Sequence, residues 1–178
     1  MRKVILSAAV SLDGYIARPD GSFDFIPSPD TEGEAGKELA QLFASVDVFA
    51  IGRKTLDDVR LHTGSGPPKG AGTTYIFSRT LAPGEKDGLV FVNQSAEEFV
   101  ADRRSEPGKH IFLMGGGELA RCFLEADLVD ELLLAALPVL LGEGIRLFPA
   151  GFPQRDLTLV QCLADPNGTA MLKYERTR

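Results

Sequence analysis

Short runs of apolar residues recur along the chain, and their lengths are typical of strands. The first run, residues 4–10, reads Val-Ile-Leu-Ser-Ala-Ala-Val and is continuous, as expected of a central strand covered on both faces. Other runs are similarly short and predict further strands of the same sheet. They lie at residues 47–51, 74–78, 89–92, 110–114 and 130–138.

Between these runs, apolar residues recur at helical spacing. After Ala35 they return at intervals of three or four positions, which predicts an amphipathic helix. They are Leu39, Leu42, Phe43 and Val46. A short helix is predicted over residues 55–59, and Ser95-Ala-Glu-Glu98 has the form of a capping box that begins another helix. A fourth helix is predicted after the glycines at 115–117, with an apolar face made by Leu119, Ala120, Phe123 and Leu124.

The last part of the chain has the pattern of a β-hairpin. Residues 157–163 and 169–175 flank Asp165-Pro-Asn-Gly168, a turn that contains glycine. Because strands alternate with helices before this hairpin, the sequence predicts one α/β domain over residues 1–178. Its sheet is expected to be mixed and mostly parallel, flanked by helices, with an antiparallel hairpin at the C-terminus.

Two segments lack both periodicities. Residues 11–25 contain Asp13-Gly14 and Pro19-Asp-Gly21, so they are expected to form a loop with turns. Residues 61–72 are rich in glycine and proline. Two interpretations of this second segment stay open: a loop that closes over a site, or a surface excursion.

Composition excludes several classes of protein. The net charge of −6 argues against a general nucleic-acid binder, which would carry a basic field. The sequence contains no run of about 18 apolar residues, so it predicts no membrane-spanning helix. Cys122 and Cys162 have no metal-ligand spacing and are expected to be small buried hydrophobes. No metal site is predicted, and a cytoplasmic location is expected.

Glycines and cations stand where three predicted strands end. Phe112-Leu-Met-Gly-Gly-Gly-Glu-Leu119 joins a strand to a helix, and Val48-Phe-Ala-Ile-Gly-Arg-Lys-Thr55 makes a second such junction. Glycine lets the backbone approach a ligand, and the free N–H groups of a helix start attract an anion, usually phosphate. A third junction, Tyr75-Ile-Phe-Ser-Arg79, adds a hydroxyl and a guanidinium. Together they predict a phosphate-rich ligand such as a dinucleotide at the carboxyl end of the sheet.

Arg53 and Arg79 would favour NADP over NAD, because arginine pairs with the additional 2′-phosphate. The usual Rossmann fingerprint, Gly-x-Gly-x-x-Gly after the first strand, is missing, and so is the Walker pattern. A dinucleotide would therefore bind by a different scheme.

The chain resembles the dihydrofolate reductase-like superfamily, and most closely the reductase domain of the bifunctional riboflavin-biosynthesis deaminase-reductase in a stand-alone form. The matching segments span nearly the whole chain in the family's order. They are Ser11-Leu-Asp-Gly-Tyr-Ile-Ala17, Gly52-Arg-Lys-Thr55, Ser78-Arg79, Met114-Gly-Gly-Gly-Glu-Leu119, Leu128-Val-Asp-Glu-Leu132, Pro138-Val-Leu-Leu-Gly-Glu-Gly144 and Leu147-Phe148.

The resemblance implies NADPH binding and hydride transfer to a small heterocyclic or sugar-linked substrate. It implies that Ala9 and Ile16 lie beside the nicotinamide. It implies that the cofactor's phosphates contact Gly52, Arg53, Lys54 and Thr55. It also implies that the adenosine phosphate contacts Ser78 and Arg79. It implies that the pyrophosphate is wrapped by Gly115, Gly116, Gly117, Glu118 and Leu119.

The proton donor is not identified by the sequence. Asp13 and Glu38 are the candidates, but Asp13 also fits a turn before Gly14, and Glu38 also fits a helix surface. Water is a further possible proton source. Three functions therefore stay open: the reductase, a non-catalytic NADP(H)-binding protein, and an authentic dihydrofolate reductase.

A homodimer is also expected from the resemblance, since relatives in the riboflavin pathway are commonly dimers. Residues 132–141 are apolar enough to help build an interface, although a core strand also explains most of them.

Overall fold

The structure is a computed structural model that describes residues 1–27, 33–66 and 72–177. Four helices are α1 (Glu34–Ser45), α2 (Arg53–Thr63), α3 (Ala96–Ser105) and α4 (Gly117–Glu125). The strands, in chain order, are β1 (Val4–Ser11), β2 (Tyr15–Ala17), β3 (Val46–Gly52), β4 (Thr73–Phe77), β5 (Gly84–Lys86), β6 (Leu89–Val92), β7 (His110–Gly115), β8 (Glu131–Leu137), β9 (Ile145–Arg146), β10 (Leu157–Ala164) and β11 (Ala170–Arg176).

Nine strands form one sheet in the order β10-β11-β8-β1-β7-β3-β4-β6-β5. The pairs from β8 through β1, β7, β3 and β4 to β6 are parallel. Strand β11 runs antiparallel to both β8 and β10, and β5 runs antiparallel to β6. The predicted mixed, mostly parallel sheet and its C-terminal antiparallel hairpin are confirmed.

Helices cover both faces of the sheet. Leu42 of α1 packs with Phe49 and Phe112, and Leu56 of α2 packs with Ile51 on the same face. On the opposite face, α3 and α4 pack against the alternate strand residues. They contribute Phe99, Val100, Ala120, Phe123 and Leu124 to a core that includes Val48, Ala50 and Leu113.

The capping box predicted at Ser95 is present at the start of α3. The Ser95 hydroxyl accepts a hydrogen bond from the Glu98 amide at 3.2 Å, and the Glu98 carboxylate accepts one from the Ser95 amide at 3.0 Å. These bonds satisfy two backbone donors that a helix start otherwise leaves free.

The helix predicted over residues 55–59 is longer than expected. It starts directly after Gly52 and ends at Gly64, whose backbone is left-handed (φ 66°) and whose amide bonds to the Arg60 carbonyl. Its mostly polar sequence concealed this length, since Leu56 is its buried residue. The loop expected at 61–72 therefore begins as helix, and residues 67–71 lie outside the described residues, where neither interpretation of that loop is tested.

Three short strands were not predicted. Strand β2 lies within the expected loop at 11–25 and pairs with β9 in a separate two-stranded sheet. Strand β5 is exposed along its whole length and reads Gly-Glu-Lys, which carries no apolar alternation. Such strands form through backbone pairing with their neighbours, which leaves no signal in the local sequence.

The prediction that both cysteines are buried is wrong. Cys122 and Cys162 are free and exposed. Cys122 lies on the outer side of α4, next to the buried Phe123, and Cys162 lies on β10 at the edge of the sheet.

Within the part of the chain that the structure describes, no helix is both long enough and apolar enough to cross a membrane.

Candidate functional site

Two of the predicted junctions meet at the carboxyl edge of the sheet. Strands β3 and β7 are neighbours, and Ile51 lies in register with Gly115. A Cβ atom placed on Gly52 would lie 3.7 Å from the Gly115 carbonyl oxygen and 3.8 Å from the Gly116 nitrogen. The two glycine segments are therefore in contact, although 63 positions separate Gly52 from Gly115 in the sequence.

Thr55 and Ile16 complete this contact. The Gly116 amide donates a hydrogen bond to Thr55 Oγ1 at 2.8 Å. A Cβ atom on Gly116 would lie 2.8 Å from that oxygen and 3.6 Å from Ile16 Cδ1. Strand β2, the start of α2 and the start of α4 thus converge on one point.

The two helices that begin at this edge have no side-chain caps. Gly52 precedes α2 and Gly116 precedes α4, and neither residue supplies a capping hydrogen bond, unlike Ser95 before α3. The first N–H groups of both helices are consequently available, and both helix dipoles favour negative charge at the same edge. Such an arrangement suits an anion.

Glycine is required by close packing at one of these positions. A Cβ atom on Gly117 would lie 2.2 Å from the Arg146 carbonyl oxygen, where no side chain fits. Gly115 has a positive φ of 93°, which side chains rarely adopt, and the Gly115–Gly116 peptide bond is cis.

Three exposed cations lie near these helix starts. Arg53 and Lys54 open α2, and Arg53 forms an ion pair with Asp57 at 3.4 Å. Arg79 follows β4, which pairs with β3 so that Phe77 lies beside Gly52. Among the described residues, Lys54 and Arg79 have no hydrogen bond or ion pair, so their charges are free to meet an anion.

Ser78 is buried, and its hydroxyl oxygen stabilises the turn after β4. It accepts hydrogen bonds from the amides of Thr80 at 3.3 Å and Leu81 at 3.0 Å. The Ser78 O–H group keeps its ability to donate. The structure therefore places Ser78 beside the predicted site but gives its oxygen a structural contact as well.

The remaining predicted cofactor residues occupy varied positions. Leu119 is half-buried, and a Cβ atom added to Gly52 would lie 3.9 Å from the Leu119 Cβ. Glu118 is exposed and pairs with Arg121 at 3.2 Å. Ala9 is half-buried in the carboxyl-terminal half of β1, in register with Ala135.

Asp13 joins two loops at the carboxyl edge. Its carboxylate accepts hydrogen bonds from the Ser11 hydroxyl at 2.6 Å, the Gly142 amide at 2.7 Å and the Leu141 amide at 3.1 Å. The Ser11 hydroxyl and then these backbone amides lower the pKa of Asp13 to about 2. At neutral pH the group is ionised, so it carries no proton to donate.

Glu38 lies apart from the glycine edge. It is half-buried on α1, and its carboxylate accepts a hydrogen bond from Gln161 at 3.2 Å. It lines a cavity of about 320 Å³ beside the amino-terminal halves of β1, β7 and β8. The structure therefore does not bring Glu38 and Asp13 together.

Tyr15 and Arg146, which the sequence analysis did not single out, connect the same two loops as Asp13. Arg146 donates a hydrogen bond to the Tyr15 hydroxyl at 3.0 Å and lies 4.7 Å from the centre of its ring. The Tyr15 hydroxyl donates to the Gly142 carbonyl at 3.2 Å. The turn-forming Asp-Gly and Gly-Glu-Gly sequences near these residues were the available signals, and they reveal turns but not partners.

Among residues 1–27, 33–66 and 72–177, no group of three or more His, Cys, Asp or Glu side chains is arranged to hold a metal ion.

Comparisons with known proteins agree on the family. The model of the RibD C-terminal domain matches residues 2–171. The chain is 36% identical over 147 residues to the uncharacterized protein YwjB of Bacillus subtilis (strain 168), covering 83% of each chain.

Solved structures agree on the fold. A Shewanella sp. PV-4 protein called "Putative riboflavin biosynthesis protein" superposes with a TM-score of 0.84 at 26% identity, covering 99% of each chain. Acinetobacter baumannii RibD superposes with a TM-score of 0.72 at 20% identity, covering 100% of this chain and 59% of that one. The predicted dihydrofolate reductase-like fold is confirmed, and the chain belongs to the RibD C-terminal domain family.

Proposed function

We propose that the protein is an NADPH-dependent reductase that transfers a hydride to a small heterocyclic or sugar-linked substrate. The observation that carries this proposal is the meeting of two uncapped helix starts, α2 and α4, at one sheet edge. Membership of the RibD C-terminal domain family supports it. A dinucleotide presents two linked phosphates, and two adjacent sites for anions suit such a group.

The residues at this edge fit such a ligand. Gly52 and Gly115 leave room for a close approach of phosphate oxygens, and Gly116 is held by Thr55. The free cation of Arg79 would pair with a 2′-phosphate and so favour NADPH over NADH. The nicotinamide end would lie beside Ala9 and Ile16.

When bound, NADPH would supply the hydride, and the protein would bind and orient the reactants. Ile16 contacts the glycine segment, and Asp13 holds the loop that carries Ile16 against residues 141–142. Since Asp13 is ionised, we propose that the proton comes from the substrate's surroundings through water rather than from Asp13.

A second function, a non-catalytic NADP(H)-binding protein, is favoured by one observation. Neither sequence candidate is suited to donate a proton at the glycine edge, because Asp13 is ionised and Glu38 lies beside another cavity. Cofactor binding without NADPH consumption across a panel of pyrimidine, pterin and phosphoribosyl substrates would support this second function. Consumption of NADPH with any one of them would exclude it, and methotrexate-sensitive turnover of dihydrofolate would identify a dihydrofolate reductase.

The proposed cofactor is tested by titrating the protein with NADPH and NADH while following fluorescence. The wild type should bind NADPH more tightly than NADH. Arg79→Ala should weaken NADPH binding about 10-fold or more, as expected for the loss of a charged hydrogen bond, and leave NADH binding almost unchanged. Lys109→Ala is the control, because it removes an exposed cation just before β7, at the opposite edge of the sheet.

Equal binding of both cofactors, or an equal effect of the two substitutions, would contradict 2′-phosphate recognition by Arg79. Failure to bind either cofactor would contradict the reductase itself.

A further inference from the structure

The cavity that Glu38 lines lies between α1 and the sheet, at the amino end of the central strands. Its volume is about 320 Å³, and β1, β7, β8 and β11 contribute its sheet wall. Pockets of about this size hold small molecules. We call it the amino-end cavity. None of the described residues that line it belongs to the glycine edge, so a ligand bound here would leave the proposed cofactor site free.

The wall contributed by α1 follows from the spacing of its residues. Four of them recur at intervals of three or four positions, which places them on one face of the helix. They are Glu38, Gln41, Leu42 and Ser45. Leu42 forms the apolar part of the lining with Ile5 and Leu133, each at most 5% exposed. This part of the cavity suits an aliphatic group.

Lys173 brings a positive charge to the cavity. It lies opposite Leu133 in the antiparallel pair of β11 and β8, so both side chains point to the α1 side. Lys173 is half-buried, and among the described residues it forms no hydrogen bond or ion pair. Because partial burial removes water from a charge, this ammonium group would gain from an anionic partner.

Glu38 brings a negative charge to the same end of the cavity. Gln161 donates a hydrogen bond to its carboxylate at 3.2 Å, and Gln161 lies beside Lys173 in the register of β10 and β11. No cation in the described part of the chain pairs with Glu38. The cavity therefore holds two opposite charges that are close in the fold but do not pair with each other.

The other ionisable groups of the lining are already satisfied. Glu131 is buried, and Lys3 neutralises it in an ion pair. His110 accepts a hydrogen bond from the Lys3 amide through Nδ1 at 3.2 Å, as only an uncharged imidazole can. A ligand would therefore meet one negative pole at Glu38 and one positive pole at Lys173.

We propose that the amino-end cavity binds an aliphatic α-amino acid. The ammonium group of the ligand would meet Glu38, and its carboxylate would meet Lys173. Its side chain would lie on Ile5, Leu42 and Leu133. A simple anion or cation would satisfy only one pole, whereas a zwitterion satisfies both with charged hydrogen bonds, which are the strong ones.

The first experiment measures the melting temperature of the whole chain with added amino acids. Leucine, isoleucine and methionine at about 10 mM should raise it, because a ligand that binds only the folded state stabilises that state. Aspartate and lysine should have little effect, because their charged side chains would lie on the apolar part of the lining. Calorimetric titration with leucine should give a dissociation constant of about 1 mM or below.

The second experiment removes one charge of the ligand at a time. Leucinamide lacks the carboxylate, and 4-methylpentanoate lacks the ammonium group. Each should bind the wild type at least about 10-fold more weakly than leucine, as expected for the loss of a charged hydrogen bond.

Two substitutions remove the poles of the protein. Lys173→Met keeps an apolar stem, and Glu38→Gln keeps an acceptor for Gln161. Each should weaken leucine binding about 10-fold or more. Lys173→Met should barely change the binding of leucinamide, and Glu38→Gln should barely change that of 4-methylpentanoate. Lys86→Met on β5 and Glu97→Gln on α3 are the matched controls, because both residues are exposed and lie outside the cavity.

The proposal is overturned if no aliphatic amino acid raises the melting temperature. Either analogue binding as tightly as leucine would overturn it too, as would unchanged leucine binding by either cavity variant. If a variant does not fold, the two analogues with the wild type decide the question. These measurements need neither NADPH nor turnover, so their outcome is independent of the proposed reductase activity.

Discussion

At the scale of single residues, the candidate site depends on positions where the backbone itself makes the contact. The Arg146 carbonyl oxygen occupies the space that a side chain on residue 117 would need, so only glycine fits at the first residue of α4. This requirement is independent of any ligand. The start of α4 is therefore positioned by packing against the loop at residue 146 before an anion arrives.

Gly117→Ala should destabilise the protein by about 1–3 kcal/mol, because the added methyl group forces α4 and residue 146 apart. Urea unfolding measures this change. Gly66→Ala is the control, since Gly66 has no neighbouring atoms within 4 Å of an added Cβ, and its stability should stay within about 1 kcal/mol of the wild type. Equal stabilities of the two variants would contradict the packing argument.

Asp13 gives a residue-scale prediction about pH. Its pKa is about 2 in the folded protein, below the ordinary value of 3.8, so its contribution to stability is complete above about pH 4 and is lost as the pH falls through 2. Asp13→Asn should be less stable than the wild type at neutral pH, and the difference should shrink between pH 4 and 2. Urea unfolding at several pH values measures it.

The control for this pH dependence is Glu85→Gln, which removes an exposed carboxylate from β5. A difference between wild type and Asp13→Asn that is constant from pH 7 to pH 2 would contradict the hydrogen bonds assigned to the Asp13 carboxylate.

At the scale of elements, the sequence predicted what local periodicity and capping determine. The buried runs of β1, β3 and β7 and the capping box of α3 were visible because each depends on residues close together in the chain. The β2–β9 pair was not visible, because its strands are short and join segments about 130 positions apart. Long-range pairing leaves no local pattern.

The candidate site likewise has features that the local sequence reveals and contacts that only the fold reveals. Its glycines and cations were evident in the sequence, because a glycine run between a strand and a helix has a local meaning. The hydrogen bond from Gly116 to Thr55 and the contacts of Asp13 with Leu141 and Gly142 join distant segments. Sequence reasoning offered Asp13 as a proton donor or a turn residue, but only the fold brings its two backbone partners to it.

The capping box supplies the prediction at this scale. Ser95→Ala should destabilise the protein by about 1 kcal/mol, because the Glu98 amide loses its acceptor. Ser95→Thr keeps the hydroxyl and should retain most of the stability. Thermal unfolding compares the three proteins, and a Thr variant as unstable as the Ala variant would contradict the capping role.

At the scale of the whole molecule, the carboxyl and amino edges of the sheet differ in the residues they carry. The carboxyl edge carries the glycines and free cations, whereas the amino edge is fixed by buried charges. Arg2 is 7% exposed and donates to the Asp47 carboxylate and to the carbonyls of Lys109 and Arg103. It thereby joins β1 to β3, to the end of α3 and to the start of β7.

Asp47→Ala should destabilise the protein by about 3 kcal/mol, because it leaves the buried Arg2 charge without its carboxylate. Affinity for NADPH should be unchanged, since Asp47 lies at the opposite edge from the candidate site. Asp24→Ala breaks the exposed pair with Arg18 and should change the free energy of unfolding far less, because solvent screens that pair. A large change in NADPH affinity for Asp47→Ala would contradict this division between the edges.

The positions of α2 and α4 have a consequence for dynamics. These helices lie on opposite faces of the sheet, yet both begin at the contact between Gly52 and Gly116. A ligand that bridges the two helix starts would connect the two helical layers across the sheet, so the layers could separate only after it leaves. Amide hydrogen exchange at the ends of β3 and β7 should then slow as ligand is added, while exchange along β10, far from that contact, should keep its rate.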